Sequence, residues 1–224
     1  MVKARITRNS IRKVQLADGS FSSNSQVVKG HAVSHFKHLL NQQPHLACPT
    51  LVHSVVLSEE ERSSLCVPVS EGEIKYALFA QKPLSSPGPD GFSACFFQLF
   101  WLTIKEEFIT AVRSFFDSGH LLKAINHSFI SLIPKTKLAD SFNDFRPISL
   151  CNVTFKTITK VMATRLQKVL PKLISLNQSA FIKGRSIVHS ILLAHEMSNI
   201  LSSPAPFGWV CLKVDLRKTF DSVN

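Results

Sequence analysis

The stretch DFRPISLCNVTFKTITKVMATRL, residues 144–166, changes its hydrophobic period part-way along. Residues 146–150 (RPISL) read as a short strand, with Pro147 near its start, where a missing backbone N–H is tolerated. From Val153 the spacing turns helical and predicts a helix over 153–170, with Lys156, Lys160, Arg165 and Lys168 on its polar side. Pro171 ends or kinks that helix. A strand leading into a basic helix points to an α+β chain.

Working outward, residues 127–133 (HSFISLI) alternate polar and apolar and predict a strand that leaves at Pro134-Lys135. Ahead of it a long aromatic helix is expected over 93–117, capped by Gly119, with Phe96, Phe100, Phe108, Phe115 and Phe116 in the core. Residues 83–91 (PLSSPGPDG) hold three prolines and two glycines and form a rigid loop. Ser70 and Glu73 make an S-x-x-E capping box before a short helix carrying Ile74, Ala77, Leu78 and Ala80. Residues 1–69 read as a loosely organised extension, with a turn at Asp18-Gly19-Ser20 and a helix over 27–40. His31, His35 and His38 share one face of that helix. No carboxylate or Cys is placed to complete a metal site there, so a polar helix face is the better reading. On the other side, 178–182 reads as a short extended piece, 186–201 as a helix and 209–216 (WVCLKVDL) as a last strand. The chain thus divides into an extension, 1–69, and a second unit, 70–224.

Composition narrows the function classes. Apolar residues make up 45% and charged residues 18%, which argues against a largely disordered chain. There are 26 Lys and Arg against 15 Asp and Glu, a formal net charge of +11. Between residues 121 and 185 stand eleven Lys/Arg and only two acids, Asp140 and Asp144. That concentration favours a polyanion-binding surface over a merely solvated basic face. Five scattered cysteines without a C-x-x-C pair fit reduced thiols in an intracellular protein. The basic residues 1–14 lack the apolar run of a secretory signal, and the most apolar window, 92–104, is interrupted by Gln98 and too short to span a bilayer.

In the last predicted strand, alternation puts Val210, Leu212 and Val214 on one face and Trp209, Cys211, Lys213 and Asp215 on the other. Asp215 then stands at a strand end, where a carboxylate is held rigidly yet reaches solvent. By itself it reads better as an N-cap before Leu216-Arg217-Lys218.

Four blocks together resemble plant-type LINE (non-LTR) retrotransposon reverse transcriptases, in that family's order and spacing. They are SSPGPDGF at 85–92, INHSFISLIPK at 125–135, the 144–166 stretch with NQSAFIKGRSI at 177–187, and LKVDLRKTFDSV at 212–223. The resemblance implies a right-hand polymerase, with fingers and the start of a palm over 70–224 behind a helical extension. It makes Asp215 the first of three carboxylates holding two Mg²⁺ ions, with the backbone carbonyl of Leu216 as a further ligand. Phe220 matches the aromatic gate that excludes a ribose 2′-hydroxyl; its alternative is apolar packing beneath a helix. Lys135 and Arg146 match the fingers residues that grip an incoming triphosphate, although Lys135 also suits a solvated strand exit. Gln178, Lys183, Gly184 and Arg185 match a block along the template and primer path. Pro87, Gly88, Asp90 and Gly91 match a loop that either touches template RNA or is a stiff elbow. His189 and Ser190 depart from the family pattern.

The implied activity is RNA-directed DNA polymerisation, with an RNA template, a DNA primer and deoxynucleoside triphosphates as partners and a nuclear or cytoplasmic site of action. The other two carboxylates would come from a Tyr-x-Asp-Asp turn. The one tyrosine, Tyr76, is followed by Ala77 and Leu78. The expectation is therefore a partial polymerase without activity of its own. The rival, from a different class, is a non-enzymatic nucleic-acid-binding protein that uses the basic fingers surface. No membrane partner is expected.

Overall fold

Two apolar clusters organise the chain, one among helices and one beneath a hairpin. The computed structural model describes residues 11, 13–16, 19–41, 56–136, 138–201 and 209–214. In order these form β1 (Val14–Gln15), β2 (Phe21–Ser22), α1 (Ser25–Asn41), α2 (Glu59–Cys66), α3 (Glu71–Phe79), α4 (Ala94–Leu99), α5 (Trp101–Ser118) and α6 (Lys123–Asn126). They continue with β3 (Ser128–Pro134), a 3₁₀ turn (Phe142–Asp144), β4 (Phe145–Cys151), α7 (Val153–Leu166), α8 (Leu170–Leu173) and α9 (Ile187–Leu201). β1 pairs with β2, and β3 with β4, both antiparallel. Mixed helix and sheet is what the α+β reading requires.

The helical cluster brings Ile74, Ala77 and Leu78 of α3, Phe108, Ile109 and Val112 of α5 and Val153, Ile158 and Val161 of α7 around Ala94 and Trp101. α3 starts where the capping box places it: the Ser70 hydroxyl accepts from the Glu73 N–H at 3.2 Å, and the Glu73 carboxylate accepts from the Ser70 N–H at 3.1 Å. The second cluster joins Val14, Val28 and Phe36 of the extension to Phe142 and Phe145. The Gln15 N–H donates to the Asp140 carbonyl at 2.8 Å across the same seam.

Several expectations need correction. The single helix over 93–117 is two helices, broken at Phe100 (φ −95°, ψ 16°). Docking sets the break: Gln98 Nε2 donates to the Leu78 and Gln81 carbonyls, both at 3.1 Å, which ties α4 to the end of α3. Phe100 is consequently 51% exposed, not core, and Phe96 is half-buried in a ring stack with Phe97 and Phe92. Gly119 does close α5 in the left-handed conformation, at φ 69°. α7 stops at Leu166, and Pro171 opens the separate α8. Residues 178–182 form turns instead of an extended piece. In α1, His31 and His35 lie against the Phe142 ring, with centroids 5.5 and 5.8 Å away, so that part of the face is packed, not merely polar. Within the loosely read 1–69 stretch, α2 has its own capping box between Ser58 and Glu61.

Residues 209–214 are not in a strand among the described residues. Val210, Leu212 and Val214 are 95%, 83% and 73% exposed, so the alternation there does not mark a buried strand. Alternation buries a face only where another strand or helix covers it.

Candidate functional site

The β3–β4 hairpin carries two of the predicted residues. Register sets Ile133 opposite Arg146, Ser131 opposite Ile148 and Phe129 opposite Leu150. Lys135 follows two residues after Ile133, so Lys135 and Arg146 share one face of the hairpin as diagonal neighbours. Near the turn the opposite face carries Leu132 and Phe145, which pack into the second cluster, while Ile130 farther along it is 42% exposed. That packing leaves the Arg146 face outward, with Phe129 60%, Ile133 40% and Ile148 41% exposed. It is a surface of apolar side chains with two cations at one end.

The root of the hairpin is tightly built. The Lys135 N–H donates to the Asp144 carbonyl at 2.8 Å, and its ammonium donates to the Asn143 carbonyl at 2.7 Å. Ser141 and Asp144 form a further capping box on the 3₁₀ turn. Lys135 is thereby anchored, while Arg146 is exposed and joins no salt bridge among the described residues. An anchored ammonium beside an outward guanidinium suits an anionic ligand such as a triphosphate.

Gln178, Lys183, Gly184 and Arg185 come together in a second place, the loop between α8 and α9. Arg185 organises it: its guanidinium donates to the carbonyls of Pro171 (3.0 Å), Ile174 (2.8 Å), Ser175 (2.5 Å) and Gln178 (2.7 Å). Both terminal nitrogens are thus engaged with the backbone. Gly184 has φ 83°, which a side chain would strain, and Lys183 is exposed beside it. Ser190 bonds to Ser179 through their hydroxyls at 2.8 Å, joining α9 to the loop.

Asp215, Leu216 and Phe220 lie outside the described residues. Among those described, no group of three or more His, Cys, Asp or Glu side chains is placed to hold a metal ion. No described helix is long and apolar enough to cross a membrane.

Residues 133–224 match the reverse transcriptase (RNA-dependent DNA polymerase) family. The matched segment runs from Ile133 through both the hairpin cations and the Arg185 loop. Over 99% of its length the chain is 28% identical to the Transposon TX1 uncharacterized 149 kDa protein of Xenopus laevis, of which it covers 17%. It is also 25% identical, over 79% of the chain, to the retrovirus-related Pol polyprotein from type-1 retrotransposable element R2 of Nasonia vitripennis, covering 16% of it. The corresponding R2 polyprotein of Popillia japonica is 27% identical over 70% of the chain and is covered over 21%. The chain is similar to non-LTR retrotransposon Pol proteins, and its residues 133–224 match the reverse transcriptase family. It spans about a fifth or less of these relatives.

Within this reverse transcriptase segment the structure adds residues that the sequence reading passed over. Arg165, assigned to a polar helix side, is buried instead. Its guanidinium forms a two-pronged pair with Glu73, Nε to Oε1 at 2.9 Å and a terminal nitrogen to Oε2 at 3.0 Å. It also donates to the carbonyls of Leu65 (3.0 Å) and Val67 (2.6 Å). The Arg165 hydrogen bonds, the Ser70 N–H and the charge beside it hold the Glu73 carboxyl down to about 2 despite partial burial. The signal was present: Arg165 lies in step with Ile158 and Val161 on the apolar stripe of α7.

The PGPDG loop is held as an elbow. Gly88 is buried against Asn152, and a Cβ built on it would stand 2.6 Å from the Cys151 carbonyl carbon, closer still to Asn152. Asn152 accepts from the Asp90 N–H at 3.3 Å and donates to the Ala124 carbonyl at 2.8 Å, so one side chain joins the loop to α6 and α7. Phe92 N–H donates to the Asp90 carboxylate at 3.1 Å, closing a local turn.

Proposed function

We propose that this chain forms the fingers and the start of the palm of an RNA-directed DNA polymerase, and that Lys135 and Arg146 receive the triphosphate of the incoming deoxynucleotide. The observation that carries the reading is their position on one outward hairpin face whose reverse side is fixed to a hydrophobic cluster. Arg146 offers a planar fork to phosphate oxygens, and Lys135 a tethered point charge. Rigid backing matters because a gripping group must already stand where the phosphate arrives. Template and primer run along the Lys183 side, where Arg185 shapes the loop and Gln178 lines it. Phe220 is proposed as the gate that crowds a ribose 2′-hydroxyl.

Asp215, with the Leu216 carbonyl, is proposed to hold Mg²⁺. A pair of such ions, completed by further carboxylates, would supply the charge that activates a primer 3′-hydroxyl and offsets the pyrophosphate. A single carboxylate does not organise two such ions, so polymerisation requires acidic residues beyond those named here. The chain alone is expected to bind and not to polymerise.

A photoreactive deoxynucleoside triphosphate tests the hairpin. Labelling within 128–151 should be competed by unlabelled dNTP and fall about tenfold in Arg146→Gln, which removes one charge-assisted phosphate grip. Uncompeted labelling, or equal labelling of the variant, overturns the assignment. Primer extension with Mg²⁺ should give no incorporation; measurable extension would refute the inactivity of the isolated chain. The second reading, a nucleic-acid-binding protein without catalysis, draws on the net charge of +11 and predicts the same binding with no dependence on dNTP.

A further inference from the structure

Away from the hairpin face and the Arg185 loop, an open-sided groove of about 530 Å³ runs between the loop after α3 and the exposed side of α7. Its walls carry Lys82 and Ser85 on one side and Lys156, Thr159 and Lys160 on the other, with Gln81 between them. Among the described residues no acid lines it, and none of the three lysines joins a salt bridge.

One of the three lysines and the two walls themselves are held in place by hydrogen bonds. Lys156 donates from its ammonium to the Ser86 carbonyl at 3.1 Å, across the groove. Gln81 Nε2 donates to the Thr157 hydroxyl at 2.9 Å, tying the same two walls deeper down. The wall formed by the 83–91 loop is itself fixed by Gly88 packed on Asn152. Lys156 and Lys160 are one helical turn apart, an arrangement of like charges that costs α7 stability unless an anion lies between them.

We propose that this groove is a phosphate track for a single nucleic-acid strand, a second line of binding in addition to the hairpin and the Arg185 loop. Lys82, Lys156 and Lys160 grip consecutive backbone phosphates, and the Ser85 hydroxyl offers a further donor. The open side argues for a strand passing through. A small anion would be left largely in water, whereas specific small-ligand sites enclose most of their ligand. The inference rests on the nucleic-acid-binding reading given above, but not on polymerase chemistry.

Fluorescence anisotropy of the 224-residue chain with labelled single-stranded RNA, and with DNA of the same sequence, provides the test over a salt series. Lys82→Gln/Lys156→Gln/Lys160→Gln should lower the slope of log affinity against log salt by about 2, at roughly 0.7 for each phosphate no longer neutralised. Affinity at low salt should fall at least tenfold. Lys160→Gln alone, an exposed position that spares the fold, should lower the slope by about 0.7. A control with equal charge removed elsewhere, Lys29→Gln/Lys37→Gln/Lys75→Gln, should change the slope by less than half as much. Equal effects of the groove and control variants would overturn the track while leaving general nucleic-acid binding standing. If the unaltered chain binds neither strand at low salt, both readings fall together.

Discussion

At the scale of single residues, the Arg165–Glu73 pair does the most to hold distant parts of the chain together. One guanidinium reaches α3, the backbone at 65–68 and the Phe116 ring, 6.0 Å from its centre. The pair also makes stability depend on pH. The folded carboxyl of Glu73 sits at about 2, below its ordinary value of 4.5. A depressed carboxyl contributes stability that is complete above the unfolded value and is lost as pH falls through the folded one. Stability should therefore decline between about pH 4.5 and 2, by on the order of 1–2 kcal/mol once screening at a side chain 35% exposed is allowed for. In Glu73→Gln that decline should vanish, and the neutral-pH urea midpoint should drop because Arg165 loses its counter-charge. A variant that tracks the unaltered protein across this range would show the pair to be energetically idle. Lys172 and Glu61, at 2.8 Å, make a comparable link on the surface, and it lowers the Glu61 carboxyl as well.

The element that fixes the candidate site is the short junction between β4 and α7. Asn152 occupies it, buried, bonded back to α6 and sideways to the PGPDG elbow. The elbow tolerates no side chain at Gly88 because backbone atoms of Cys151 and Asn152 fill the space. Gly88→Ala should destabilise the fold by about 1–3 kcal/mol, in the range of other overpacked sites, measured by chemical denaturation. Gly91→Ala, strained by its φ of 77° but open around the Cβ, separates backbone strain from crowding. Gly88 has no left-handed φ, so full stability in Gly88→Ala would mean that the close packing on Asn152 is not the reason for the glycine. Hairpin strands were legible at this scale because 127–133 alternates and 146–150 is a short run with Pro147 near its start. The break at Phe100 was not, because a helix spacing carries no record of Gln98 bonding to another helix.

For the molecule as a whole, the extension is not independent of the hairpin. Phe142 is 2% exposed and touches Phe36 and Phe145 as well as the two histidine rings of α1. The backing of the Lys135–Arg146 face is thus supplied partly by Val14, Val28 and Phe36. Phe142→Ala should cost about 3 kcal/mol or more and lower hydrogen-exchange protection in α1 and in β3–β4 together. Protection lost in the hairpin alone would mean that α1 is held by something else. Relatives 25–28% identical over most of this chain are several-fold longer than it.

The amino-acid order alone determined the elements whose information is local. These include the capping box at Ser70, the glycine stop at 119 and the hairpin strands, whereas the shared face of Lys135 and Arg146 waited for the strand register. It also carried the resemblance to a family, since four spaced blocks show it without reference to shape. Tertiary structure alone decided which cation is buried, which proline loop is clamped and which lysines face one another. Those outcomes depend on residues far apart in the chain, 92 positions in the case of Arg165 and Glu73. Periodicity reports which face of an element is apolar; only packing decides what that face meets.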